Sequence, residues 1–312
     1  MVQTDVNDVD PNGDVVLICG DPSQRSRITR TRVSSAIMGY SSSVFKAMFS
    51  GRFKEGREIT CSGMAEVSLP DDDPEMMLIL CQILHLRHDA VPRTLKPLQL
   101  LKLAELCDKY DCAIAIKPSA GEWATGILQQ ATDSERGCLL TAACLLQHGA
   151  LVQRIAADLV MNSSSPVDEI GTIGDGVWLN IPSAIECKRL AMHREVSMFV
   201  EKRIDDQVKA KTEHASCVES CPVGAKRIAS LLEQLRNSGL WPVSTSGKPL
   251  NRLLTMMESI KVRDPRDLAR CEAKLYCLHE FHKLQNGGVS YSHAAGKIRQ
   301  SAQEIKLAKP GP

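Results

Sequence analysis

Segments with the signature of a β-strand are confined to the beginning of this chain, and beyond Pro118 only helical spacing remains. Residues 15–19 are a short apolar, β-branched run closed by Asn12-Gly13-Asp14 on one side and Gly20-Asp21-Pro22 on the other, which reads as a buried strand. Residues 26–33 alternate arginines, in the series Arg25, Arg27, Arg30 and Arg32, with smaller or apolar residues, as the half-exposed second strand of a hairpin would. Residues 65–69 alternate again and stop at Pro70. Three short strands make only a small sheet, whose apolar face must be covered by helices. The expected fold class is therefore α+β at the front and all-α behind.

The helices announce themselves by caps and stripes. Ser34 and Ser42 each precede a short apolar segment and are suited to accept a bond from an unpaired backbone N–H; the second segment puts Val44, Phe45, Met48 and Phe49 on one face. Residues 51–63 are polar and glycine-rich and read as a loop. Asp73-Pro74-Glu75 combines a capping residue, a proline at the first helical position and a carboxylate near the positive end of the dipole, followed by the stripe Met76, Leu80, Ile83, Leu84. From Pro97 a second long helix carries Leu100, Leu103, Ala104, Cys107 and Tyr110, and Asp111 is expected to start the next. Residues 135–148, 151–161, 183–211, 225–238, 250–260, 267–284 and 291–307 all read as helices, broken at 163–166, 171–176 and 217–224, with no fixed-period repeat.

Composition narrows the function classes. Lys plus Arg number 38 against 37 Asp plus Glu, and a net charge of +1 gives no global footprint for nucleic acid or an anionic membrane. Residues 1–14 are acidic and lack the charged-then-apolar pattern of a signal peptide, and no apolar run approaches the ~20 residues that cross a bilayer. The 12 cysteines are scattered through apolar runs, as free thiols in a reducing compartment would be. The expectation is an intracellular protein, cytoplasmic and/or nuclear, with no membrane and no nucleic acid among its partners.

The order strand, strand, two short helices, strand, helix, helix resembles a BTB/POZ domain of the divergent type common in filamentous fungi. The residues that carry the resemblance are Gly13 through Ile18, Val33 through Met38, Ser43 through Phe49, Phe53-Lys54-Glu55-Gly56, Val67 through Pro74 and Leu103 through Cys112. It covers residues 13–116 and sets the expected domains at 13–117, BTB/POZ, and 120–305, helical. The resemblance implies a non-enzymatic protein-protein interaction module, possible as a homodimer or as a substrate adaptor for a cullin-type ubiquitin ligase. In that reading Phe49, Phe53 and Glu55 meet the scaffold, since Phe53-Lys54-Glu55 falls where cullin-binding members carry a hydrophobic-x-Glu element. The other reading of the same residues is a solvent-facing loop whose phenylalanine packs on its own domain. Two departures stand out: residues 1–14 have too few apolar residues for the amphipathic helix of dimerising members, and Ser34-Ser35 replaces the family's His-Arg pair, leaving Asp14 without a charged neighbour.

Few residues suggest chemistry. Cys217, Cys221, Cys271, Cys277, His279 and His282 are either structural or zinc ligands, and zinc there would suit an alternative reading as a nuclear scaffolding or transcription-associated protein. Residues 171–176 have the wrong glycine order for a dinucleotide fingerprint, and Ser246-Gly247-Lys248 lacks the upstream glycine of a phosphate loop. No nucleophile elbow or Cys-His signature occurs, so no catalytic residue and no cofactor is assigned. His85 and His88 flank a helix end whose dipole favours them, and the basic run from Arg252 to Lys274 is interleaved with carboxylates as a solvated face.

Overall fold

A computed structural model of the chain describes residues 4–20, 28–170, 180–213, 222–241, 247–260 and 290–304. The protein is mixed α/β, one small sheet and otherwise helices, and its chain divides into two compact units: 1–155 with 170–179, and 156–169 with 180–312.

The sheet of the first unit has four strands, β1 (Thr4–Asp8), β2 (Val15–Cys19), β3 (Ile28–Val33) and β4 (Ala65–Leu69), in the order β1-β3-β2-β4. β2 and β3 are the expected antiparallel hairpin, with Val15 opposite Val33 and Leu17 opposite Thr31, while β4 runs parallel to β2. Side chains alternate across the pleat, so Val15, Leu17, Cys19, Thr29, Thr31, Val33, Ala65 and Val67 are buried on one face. β1 had no hydrophobic signal, since its one apolar residue, Val6, is 70% exposed. It is an edge strand held by a parallel ladder to β3 and by the turn after it, where Val9 N and Asp10 N both donate to Arg32 O at 3.1 Å. That turn needs Gly13, because a Cβ there would lie 2.3 Å from Val33 O.

The helices of this unit are α1 (Ser35–Ser41), α2 (Ser43–Met48), α3 (Lys54–Ser62), α4 (Pro74–Leu84), α5 (Pro97–Lys109), α6 (Ala113–Leu128) and α7 (Asp133–Leu145). The expected caps hold: Ser42 Oγ accepts from Phe45 N at 3.0 Å, and Asp73 accepts from Glu75 N and Met76 N at 3.1 and 3.2 Å. Met76, Leu80, Ile83 and Leu84 are buried, each contributing about 1.5–3 kcal/mol by leaving water.

Three details differ from the sequence reading. Residues 51–63 are not all loop, because α3 occupies most of them and ends at Gly63 in the left-handed region (φ +75°). Asp111 does not cap α6: at φ +49° it closes α5, and Cys112 takes the cap position. α6 runs through Pro118 and through the boundary expected at 117–120. The proline is tolerated on an exposed face of the helix, which it shares with Ile114, 82% exposed, one turn before it.

α8 (Gly149–Asn162) belongs in part to each unit. The second unit continues with a 3-10 turn (Val167–Glu169), α9 (Asn180–Glu213), α10 (Pro222–Asn237), α11 (Leu250–Ser259) and α12 (Tyr291–Gln303). α9 is its spine: Ile181, Ile185, Arg189, Met192, Val196 and Val200 recur at helical spacing on its buried side. α12 is clamped to α11 by Arg299, which donates to Glu258 Oε1 at 3.1 Å and to Asn251 Oδ1 at 2.5 Å. Among the described residues no strand occurs beyond Leu69, and no helix is long and apolar enough to cross a membrane.

Candidate functional site

The residues expected to meet a partner lie together at the corner between α2 and α3. Phe49 closes α2, stacked on Phe45 at 5.7 Å, and Phe45 stacks on Tyr110 at 4.3 Å with the rings 7° from parallel. The three rings form a column from the half-buried corner into the core. Its inner end is fixed by Asp72, a buried carboxylate that accepts from the Tyr110 hydroxyl on one oxygen and from Lys109 Nζ at 2.6 Å on the other. Burial, then the Asp72 hydrogen bond, push the Tyr110 phenol far above its ordinary range. Ser42 Oγ donates to Tyr110 O and Ser43 Oγ donates to Asp111 Oδ2 at 2.5 Å, which ties the start of α2 to the end of α5.

From Phe49 the chain turns through Ser50 into α3. Gly56 makes the turn possible: a Cβ there would lie 2.0 Å from Ser50 O and 2.6 Å from Phe49 O, so any other residue pushes α3 off the corner. Phe53 stands at the N-cap of α3, 51% exposed, with no side chain capping the helix, and Glu55 is half-buried in its first turn. The reading of this segment as a loop with a tucked phenylalanine is corrected on both counts: it is helical, and Phe53 projects. The column, Asp72 and Gly56 were not legible as supports, although Asp71-Asp72-Asp73 before a helix marked the place.

A second cluster sits at the start of α1. Asp14 accepts from Ser35 N at 2.7 Å and from Ser35 Oγ at 2.6 Å. Burial alone would raise its pKa, but the Ser35 bonds outweigh it and hold the carboxyl below its ordinary range. A charged neighbour is thus replaced by a hydroxyl and an amide. Ser34 N donates to His85 Nε2 at 3.0 Å, and His85 Nδ1 lies 2.8 Å from Cys81 O. An amide only donates, so Nε2 must accept and Nδ1 must carry the proton: the ring bridges α4 to α1 as neutral imidazole. Burial lowers its pKa, against the pull of Cys81 O and Asp10.

An open cavity of about 440 Å³ adjoins Asp72, lined among others by Asp71, Asp73, Lys102, Glu105 and Lys109. Its lysines are committed, Lys109 to Asp72 and Lys102 to Asp73 at 2.9 Å, so it offers no unpaired cation to a ligand. Cys19, Cys81, Cys107, Cys112, Cys138 and Cys144 are free and buried, with burial pushing the Cys19 thiol up to about 12; Cys61 and Cys187 are free and exposed. Among the described residues no group of three or more His, Cys, Asp or Glu is placed to hold a metal. Cys217, Cys221, Cys271, Cys277, His279, His282 and the glycines of 171–176 lie outside the described residues. Lys248, read as part of a turn, donates to Gly239 O at 2.9 Å.

In the second unit Glu186 and Arg189 form a two-pronged pair at 2.7 and 2.9 Å, and Val167 N donates to the same carboxylate at 3.0 Å. His193 and Tyr291 are 4% and 3% exposed, and neither His193 Nε2 nor the Tyr291 hydroxyl makes a hydrogen bond. The Arg203 guanidinium lies 5.9 Å from the Tyr291 ring centroid; its charge and its approach to the hydroxyl, short of a well-formed hydrogen bond, moderate a phenol pKa that burial pushes up to about 12. No family model matches the chain, and no curated protein is similar to it.

Proposed function

We propose that this chain is a BTB/POZ-type protein-interaction module that serves as a substrate adaptor, docking to a cullin-type scaffold through Phe49, Phe53 and Glu55 while its helical second unit offers a surface to the substrate. One observation carries the reading. The α2–α3 corner projects a half-exposed phenylalanine from a rigid base of stacked rings, a buried carboxylate and an obligatory glycine. A pre-organised aromatic anchor on the surface is what a protein interface uses for most of its binding energy. The order of elements in the first unit supports the same family reading. β1 is paired within its own chain to β3, which favours a heterotypic partner over a strand-exchanged homodimer.

The test is capture of a purified cullin by the purified full chain beside an established adaptor. Capture that falls about tenfold or more with Phe53→Ala, with unchanged circular dichroism, is the expected result. No capture where the established adaptor succeeds ends the adaptor reading.

A further inference from the structure

The corner that projects Phe53 is also rich in basic side chains. Lys46 on α2, Arg52 in the turn, and Lys54 and Arg57 on α3 are all exposed. Of the four, Lys54 is paired with Glu58 at 3.5 Å, and among the described residues Lys46, Arg52 and Arg57 have no ion-pair partner. Glu55 and Glu58 are the only carboxylates between residues 46 and 62, so the corner carries an excess of positive charge. The sequence that follows has the opposite sign, with Glu66, Asp71, Asp72, Asp73 and Glu75 and no Lys or Arg before residue 81, while residues 1–45 are near balance, with Arg25, Arg27, Arg30 and Arg32 against the aspartates. This local asymmetry is invisible in a whole-chain charge of +1.

We infer that the α2–α3 corner binds an acidic peptide segment of a partner protein, with an apolar side chain of that segment on Phe53 and its carboxylates on Lys46, Arg52 and Arg57. This inference rests on reading the corner as a partner surface and names the chemistry of what it accepts. Exposed cations with no internal partner lose no ion pair on binding, whereas paired ones would. Opposite charge across an interface mainly raises the association rate and rejects basic competitors, and the aromatic anchor supplies affinity. The corner is fixed by the ring column and Gly56, so little order has to be imposed when the segment arrives. Of the two carboxylates in α3, Glu58 is paired with Lys54, and Glu55 sits half-buried in the first turn next to the anchor in sequence and would reject a segment with an acidic residue directly opposite, which gives the site polarity.

The experiment uses the full chain and three fluorescent peptides of one length: Glu/Asp-rich with a central Leu, its Gln/Asn counterpart and its Lys counterpart. Anisotropy at low and physiological salt is expected to show binding of the acidic peptide alone, weakening with salt. Arg52→Glu/Arg57→Glu should weaken it about tenfold or more, Arg52→Lys/Arg57→Lys should keep most of it, and Phe53→Ala should raise the off-rate. Equal binding of the Gln/Asn peptide, or of the acidic peptide by the charge-reversed variant, overturns the inference. So does tighter binding of a single-stranded oligonucleotide than of the acidic peptide, or self-association on light scattering that the charge reversal abolishes, since the occupant is then nucleic acid or a second copy. Cullin capture unaffected by charge reversal removes this inference and leaves the adaptor reading; acidic-peptide binding without cullin capture does the reverse.

Discussion

Tyr110 and Tyr291 are equally buried and do opposite things. In the first unit the Tyr110 hydroxyl donates to Asp72, which also takes Lys109, and the ring ends a stacked column. In the second unit the Tyr291 hydroxyl has no well-formed hydrogen bond and only Arg203 as a polar neighbour, and the ring meets Phe199 edge-on at 5.2 Å. The same contrast holds for the histidines: His85 uses both ring nitrogens, whereas His193 leaves Nε2 unpaired at 4% exposure. A buried polar group with a partner fixes one geometry, and without one it is a standing cost. Both units have apolar cores and polar ties, Glu186–Arg189 and Arg299 in the second among them, but at these two residue types the first unit pairs its buried polar atoms and the second does not.

The hardest test of the first half of that contrast is Phe45→Ala. Phe45 is fully buried between Phe49 and Tyr110, and its removal should cost about 3–5 kcal/mol. Amide exchange should accelerate first in α2 and α3, and binding through Phe53 should weaken with it. A uniform acceleration across the first unit would mean that the column adds only bulk.

One substitution made in each unit sharpens the comparison. Tyr110→Phe keeps the ring and leaves buried Asp72 with Lys109 alone, so a loss of about 1–3 kcal/mol in thermal or denaturant unfolding is expected. Tyr291→Phe removes a hydroxyl that makes no well-formed hydrogen bond and has only Arg203 near it, and should change stability by no more than about 1 kcal/mol. If both cost the same, the second unit holds a partner for Tyr291 and the contrast fails.

How far the sequence disclosed this follows from the kind of signal involved. Val15–Cys19 and Ala65–Leu69 were readable to the residue because turn residues and Pro70 bound them, and α4 because Asp73 and Pro74 mark its start. α3 was not, because it is polar and carries Gly56 in its interior for a tertiary reason, the close approach of Ser50 O. β1 was not, because an edge strand held by backbone bonds needs no apolar pattern. Phe49, Phe53 and Glu55 were picked out by resemblance alone. The ring column beneath them joins residues 45 and 110, a separation no local pattern reports.

The smallest effect expected is a pH dependence that both histidines share in sign and differ in place. Burial lowers the pKa of His85 and of His193, the latter with help from Arg189, below the ordinary value of 6.5. The folded chain therefore favours neutral imidazole, while the unfolded chain takes up protons near 6.5. The stability tied to each ring is complete above that value and is lost as pH falls through it toward the folded pKa. For His85 the loss has a specific site, because a proton on Nε2 faces the Ser34 N–H and undoes the bridge between α4 and α1. Acidification from neutral to mildly acid pH should accelerate amide exchange at Ser34 and Ile37, and His85→Phe should remove that pH dependence while lowering stability at every pH. His193→Phe should leave exchange in α1 unchanged and flatten the pH dependence of α9. If the acid sensitivity of α1 survives His85→Phe, the bridge is not what holds that helix, and Asp14 with Ser35 must carry it alone down to the pH where the carboxylate itself titrates.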